Sequence, residues 1–574
     1  MASENLKQTI QGYENYIQAH GIDETVIEAY VEACSVAINN EKDTEYGLQL
    51  TKRSKELIER YCMEQTGGTI WDLEKYAFAN KTSYDLIDKF HSVLLLEAQN
   101  KVVDSFFRYI EHKREPKERF YMPRRKQFLK IGLVDALQGM IDDKYDILCI
   151  SLIPGAGKTT IEKFFNAAVI GWYPKDFNLF YSHSGDITRM YYDGMYDIVT
   201  NADEYAWNEI FPDLQVTSTN AKVEQFNVGK YKSFPSVQCT SVGSKNAGKV
   251  RASKFLLVDD MIGGIEEALN PMILEKLWSK YSVDARQRKI QDTDGKNCKE
   301  IHIATRWSVQ DVIGRIQNMY VGNPRVKVIA VPDIDPVTGQ SNFDYEFSGF
   351  DVSFFEDQQL LMDEISYKCL YKQEPIEREG LLFPDDKIRR YLNLPHGTPE
   401  LITAQCDTKG KGTDYFVLPV LQKYGDDYYC VDAVCDNTAD YEMQYENAAN
   451  ILVNNEVQEC EFERNAGGDR VAMEVNKRVE SKGGICNITN TPTETNKEAR
   501  IFQCSSWILQ HVIFKDPSKY KPNEPYGIMM SLLKQYSVSG KKQLDDVPDV
   551  FSNFALRVNK GVAKRHTTIM SSPI

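Results

Sequence analysis

The stretch that most restricts the fold is "ILCISLIPGAGKTTIEKFFNAAVI", residues 147–170. It reads as an apolar run, a glycine-rich turn and an amphipathic segment of helical period. A continuous apolar run bounded in this way is a strand buried on both faces, which places it inside a largely parallel sheet covered by helices. The turn has a second property. Backbone N–H groups of Pro154-Gly155-Ala156-Gly157 and of the following helix N-terminus (all but the proline's) are placed to face an anion. Lys158 would reach its outer phosphates, with Thr159 holding Mg²⁺ and Thr160 beside it. The pattern G-x-x-x-x-G-K-[ST] asks for glycine at position 152, where this chain has leucine.

Four further runs, "FNLFYSHS", "KFLLVDD", "EIHIATRW" and "VKVIAVP", have the same buried-strand character, with helical stretches between several of them. The expected class is α/β, a parallel P-loop NTPase sheet with helices on both faces. "KFLLVDDMIGG" ends in Asp259 and Asp260; the first would hold the Mg²⁺ and the second polarise the attacking water. "IHIATRW" puts Thr305 and Arg306 at a strand tip, where they could sense the γ-phosphate. In "SKNAGKVRAS", Lys245, Lys249 and Arg251 are candidate phosphate donors. Residues 1 to about 112 read as helical, with Leu86, Phe90, Leu94, Ala98, Val102, Phe106 and Tyr109 near a 3.6-residue period.

At 574 residues the chain is expected to divide into several domains. The division expected is a helical region 1–115, an ATPase domain 116–368, a linker 369–398, a second α/β domain 399–560 and a basic flexible tail 561–574. No apolar run approaches the ~18 residues of a membrane helix, and the polar N-terminus lacks a signal peptide's hydrophobic region. The twelve cysteines are scattered without metal-ligand spacing, so no structural zinc is expected. A net charge of −15 argues against a uniformly basic nucleic-acid surface, yet Lys113 to Lys130 carries eight Lys/Arg against Glu115 and Glu118.

In the second domain, "QCDTKGKGTDYF" poses an alternative between another phosphate loop and a metal site. A phosphate loop must run into a helix; here an apolar strand, a turn at "KYGDD" and a second strand follow, an antiparallel hairpin. Asp407 then stands at the end of one strand with Asp414 across a tight loop. Glu463 ends another, and Asp545, Asp546 and Asp549 sit at the mouth of a late helix. Carboxylates converging in this order describe a two-metal phosphodiesterase.

The series "SLIPGAGKTT", "FNLFYSHSGDIT", "KFLLVDDMIGG", "IATRWSVQDVIGRI", "CDTKGKGTDYFVL", "FERNAGG", "NKEARI" and "LDDVPDVFSNFAL" resembles, in order, the large terminase subunit of tailed bacteriophages. The resemblance spans roughly residues 120–558 and implies an ATPase joined to an RNase H-like nuclease. It implies ATP and Mg²⁺ at Lys158, Thr159, Asp259 and Asp260, with Thr305 in a coupling segment. It also implies Mg²⁺ or Mn²⁺, two ions, at Asp407, Glu463 and one or both of Asp546 and Asp549, with Asp414 a fourth contributor. The implied partners are double-stranded DNA, the small terminase subunit and the portal protein of the procapsid. The implied setting is a homo-oligomeric ring on the portal, in the cytoplasm of the infected cell and away from membranes. Lys497, Arg500 and Arg124 to Lys130 are candidate DNA contacts, and Tyr121 and Gln127 could flank adenine. The competing readings are a helicase-like repair or restriction ATPase-nuclease and a non-cutting assembly ATPase.

Overall fold

The computed structural model describes residues 3–569, apart from 231, 243, 245–249, 376–380, 409–413, 465–467, 493–495 and 538–542; side chains are described to residue 559, Pro271 excepted. Lys245 and Lys249, and the loop between Asp407 and Asp414, lie outside the described residues. Contacts divide the chain into two units, Met1–Gly263 with Met272–Gln358 and Lys368–Pro375, and Gly264–Pro271 with Gln359–Tyr367 and Ile376–Ile574.

The first unit is built on an eight-stranded sheet. Its strands are β1 (Ile147–Ser151), β2 (Asn178–Ser182), β3 (Val216–Asn220), β4 (Gln225–Val228), β5 (Val237–Ser241), β6 (Phe255–Asp259), β7 (Lys299–Ile303) and β8 (Val326–Ala330), in the spatial order β3-β4-β5-β2-β6-β7-β1-β8. The six from β5 to β8 in that order are parallel; β3 and β4 add an antiparallel margin. Every residue of β1, β2, β6 and β7 is buried. That burial is why β1, β2 and β6 stood out as largely apolar runs, whereas β7 buries Lys299, Glu300 and His302 alongside its isoleucines. One strand, β7, separates the glycine-turn strand β1 from the Asp259 strand β6, and this spacing decides what the site can reach.

The N-terminal region is helical as expected, and it packs into the same unit. The Trp172 indole donates to the carbonyl of Ala98 at 2.7 Å, and Trp71 donates to Glu346 at 2.7 Å. The long periodic segment is two helices, Asp85–Gln99 and Val103–Tyr109, because the chain turns at Lys101, whose φ of 69° no helix tolerates. Phe90, Leu94, Ala98 and Phe106 nevertheless stay in the core.

The second unit has a seven-stranded sheet. Its strands are β9 (Arg390–Tyr391), β10 (Leu401–Cys406), β11 (Phe416–Tyr424), β12 (Asp427–Asp436), β13 (Glu459–Glu463), β14 (Asn487–Thr491) and β15 (Val512–Lys515), ordered β14-β13-β10-β11-β12-β15-β9. β11 runs antiparallel to both neighbours, while β13 and β14 are parallel to β10. The hairpin expected after Asp414 is thus β11–β12, turning at Gly425 with φ 61°. Cys406, Phe416, Val434 and Phe462 face one apolar layer with the helices Tyr441–Asn454 and Gly468–Ser481. On the opposite face, Val547, Val550, Phe551 and Phe554 form the buried stripe of a final helix, Asp546–Ile569, beside Ile501, Cys504 and Ile508 of Lys497–His511.

Among the described residues, no helix is long and apolar enough to cross a membrane. All twelve cysteines are free thiols.

Candidate active sites

In the first unit the glycine turn is made by two left-handed residues, Gly155 with φ 77° and Gly157 with φ 93°. A Cβ at Gly157 would lie 2.5 Å from the Phe120 ring, and one at Gly155 would lie 3.0 Å from Phe350. Leu152, where the motif asks for glycine, has no left-handed backbone and is fully buried, so a side chain is accommodated there. Gly157→Ala is therefore expected to lose nucleotide binding at least about tenfold while the chain still folds, as measured by titration with a fluorescent ATP analogue.

The Lys158 ammonium donates to the carbonyls of Leu152 at 2.6 Å and Ile153 at 3.0 Å. Burial lowers its pKa to about 8, against the pull of Asp260 and Asp259. Thr159 reaches across β7 to β6, its hydroxyl donating to Asp259 at 2.8 Å. Asp260 has φ 41°, and its backbone is fixed on both sides. Its N–H donates to Ile303 at 2.8 Å, and its carbonyl meets the His183 ring nitrogen at 2.5 Å. Burial first, then the Asp259 charge, raises the Asp260 carboxyl to about 7. Asp260 lines a cavity of about 20 Å³ with His302, Thr305 and Asp311, enough for one water molecule.

Arg306, from the same strand tip as Thr305, is not brought to this cluster. Its guanidinium is buried and donates to Asp311 at 2.8 Å and Gln317 at 2.9 Å. Arg251 donates to the carbonyl of its neighbour Val250. Of the flanking segment, Gln127 donates to the carbonyl of Asp344, and its own side-chain oxygen is buried without a hydrogen-bond partner among the described residues. Arg124 is sandwiched between the rings of Phe120 and Tyr345 at 4.6 and 4.9 Å, and Tyr345 donates to Ala156 in the turn. Tyr121 is fully buried and donates to Asp104, so it faces the core. Within the basic stretch, Arg125 and Lys130 are likewise paired, with Asp104 and Asp335. Pro154 and Thr160 are half-buried at the turn and the first helical turn.

Glu162 escaped the sequence reading. It is 2% exposed, neither carboxylate oxygen has a hydrogen-bond partner among the described residues, and burial beside Asp259 raises its pKa well above the ordinary value. Its position three residues after Thr159, on the same helix face, was the available signal.

In the second unit β10 and β13 run parallel with Cys406 opposite Phe462, so Asp407 and Glu463 follow one step beyond as neighbours. Alternation turns both away from the layer that holds Cys406 and Phe462, toward the final helix. That helix delivers Asp549. Oxygen atoms of Asp407, Glu463 and Asp549 all lie within 4.8 Å of one another. Burial, then the neighbouring carboxylates, pushes Asp407 well above the usual carboxylate range despite Lys497; burial lifts Asp549 to about 6. Asp407 is 8% exposed, and its Oδ2 has no hydrogen-bond partner among the described residues, with the Lys497 ammonium 3.8 Å away. An all-oxygen set of three carboxylates converging in this way fits a hard divalent ion such as Mg²⁺ or Mn²⁺.

Asp546 stands beside this group and is held from two sides, accepting from the Tyr415 N–H at 2.8 Å and from Lys497 at 3.2 Å. Asp414 is half-buried next to Tyr415. Arg500 does not face solvent as a DNA contact would. It is 3% exposed, and its Nε and Nη2 both donate to Asp549, at 2.9 and 2.7 Å. Asn553 donates to Glu463 at 3.3 Å.

Strands β10 to β14 in the order β12-β11-β10-β13-β14, the second antiparallel and the rest parallel, make an RNase H-like fold, with carboxylates from its first and fourth strands and its last helix. Residues 405–512 match the family model of the terminase RNaseH-like domain. The chain thus carries the RNase H-like domain of the terminases, and the resemblance of its motifs to large terminase subunits is borne out on that segment. No curated protein matches the chain by sequence. Among solved structures it is similar to the large terminase of a thermophilic bacteriophage, with 11% identity, 75% of this chain and 98% of that one covered, and a TM-score of 0.33. The large terminase of bacteriophage HK97 follows at 10% identity, with 74% and 94% covered and a TM-score of 0.32. The human cytomegalovirus terminase nuclease domain is 11% identical, with 30% of this chain and 94% of that one covered, and a TM-score of 0.25.

Proposed function

We propose that this chain is an ATP-driven viral DNA-packaging motor that translocates double-stranded DNA into a procapsid and cuts it with a metal-dependent nuclease. The observation that carries the reading is the joining, in one chain, of a Lys158–Thr159–Asp259 cluster on a parallel sheet to a terminase RNase H-like domain with a convergent carboxylate triad. The partners that follow are DNA, the small terminase subunit and the portal of the procapsid, with a homo-oligomeric ring on that portal.

In the ATPase unit, the backbone N–H groups of the Gly155–Gly157 turn would cradle phosphate and Lys158 would neutralise it. Thr159 and Asp259 would hold Mg²⁺, and Asp260 would orient the attacking water in the small cavity it shares with Thr305. Gln127, with its partnerless oxygen, would meet the adenine edge. In the nuclease unit Asp407, Glu463 and Asp549 would hold the divalent ion, which when bound lowers the pKa of water and polarises a phosphodiester. Asp546 would orient the loop at Tyr415, and Arg500 and Asn553 would fix the angles of Asp549 and Glu463.

The full chain tests this directly. It is expected to hydrolyse ATP faster when double-stranded DNA is added, and to nick or linearise plasmid with Mn²⁺ or Mg²⁺ but not with EDTA. Hydrolysis without cutting in either metal would leave a non-cutting assembly ATPase, and DNA-independent hydrolysis would remove the translocating motor.

A further inference from the structure

The acidic cluster of the second unit contains a cation of its own. The Lys497 ammonium lies 2.8 Å from Asp545, 3.2 Å from Asp546, 3.5 Å from Asp549 and 3.8 Å from Asp407. The side chain is about a third exposed, and these four contacts of its ammonium are all carboxylates.

Its position also decides which oxygens remain for a divalent ion. The triad Asp407–Glu463–Asp549 closes to within 4.8 Å, and Asp545 and Asp546 stand outside it. A second ion next to the first would need Asp546 Oδ1, Asp549 Oδ2 and Asp407 Oδ2, the oxygens that Lys497 already faces. Charge points the same way. Among the described residues, five carboxylates, Asp407, Glu463, Asp545, Asp546 and Asp549, face two cations, Lys497 and Arg500. One divalent ion leaves the cluster a single negative charge. A second, with Lys497 in place, would make it net positive around the buried Asp407 and Asp549.

We propose that Lys497 is the second cation of this site, so that the cluster holds one divalent ion on Asp407, Glu463 and Asp549 while the lysine ammonium occupies the second-ion position. The inference rests on the nuclease reading above and sets its metal count at one, where the family resemblance implied two. It also gives Lys497 a positioning role: it clamps Asp545 and Asp546 at the helix start and keeps Asp549 turned toward the triad.

The test is a count of bound Mn²⁺ on the full chain without nucleotide, by electron paramagnetic resonance of free Mn²⁺, with Asp407→Asn as the background. Wild type is expected to hold one ion per chain above that background. Lys497→Gln is expected to take up a second, and Lys497→Arg to remain at one, with circular dichroism melting confirming that both fold. Two ions in the wild type would overturn the assignment without any variant being needed. So would a Lys497→Gln protein that still holds one ion at unchanged affinity. A wild type that binds no more Mn²⁺ than Asp407→Asn would instead remove the metal reading of the cluster itself.

Discussion

Lys158→Ala is expected to reduce ATP hydrolysis by at least about 100-fold, read as phosphate release under saturating ATP and Mg²⁺. The side chain is half-buried at the glycine turn, its ammonium held by the carbonyls of Leu152 and Ile153 and attracted by the charges of Asp260 and Asp259. With a pKa of about 8 it is predominantly charged at neutral pH, and it stands beside the turn whose N–H groups are proposed to cradle the phosphates. Alanine removes that charge where negative charge develops in phosphoryl transfer, and it leaves two buried carbonyls without a donor. Cutting of plasmid by the same variant is expected to persist, because the carboxylate triad belongs to a unit with its own core. Retention of more than a tenth of wild-type hydrolysis would show that Lys158 is not the phosphate cation.

What the sequence made legible follows from how each element is buried. β1, β2 and β6 are covered on both faces and so appear as largely apolar runs, while β7, equally buried, carries Lys299, Glu300 and His302. β3, "VTSTN", is exposed along almost its whole length and carries no hydrophobic signal, so the antiparallel margin could not be anticipated. Asp407 and Glu463 were readable because each ends a strand. The choice between Asp546 and Asp549 was not, since residues three apart share one helix face. What separates them comes from distant segments: Tyr415 and Lys497 hold Asp546, while Arg500 and the triad hold Asp549. Arg306 was read as a sensor from its place at a strand tip, but Asp311, five residues on, draws it into a buried pair. For Lys497 and Arg500 a usable signal existed. They share a helical stripe with Ile501, Cys504 and Ile508, which are buried, so the two cations had to point inward and find carboxylates.

Asp407→Asn is expected to lower plasmid cutting by at least about 100-fold while ATP hydrolysis stays within about twofold of wild type. The substitution keeps the shape of the side chain and the backbone pairing of Asp407 with Val417, whose two hydrogen bonds are 3.0 and 3.1 Å. It removes the negative charge that the triad contributes at a buried strand end. Because burial and its acidic neighbours push the Asp407 carboxyl well above the usual range, the neutral amide does not destabilise the metal-free fold. The loss is therefore expected in metal binding and cutting, with the melting temperature without divalent ions equal to or above that of wild type. Asp546→Asn serves as the contrast: Asp546 accepts from Tyr415 and Lys497 and stands outside the triad, so its loss of cutting is expected to be smaller than that of Asp407→Asn or Asp549→Asn. Equal losses at Asp546 and Asp549 would make both of them direct ligands of the metal, and unimpaired cutting by Asp407→Asn would move the nuclease centre away from this strand end altogether.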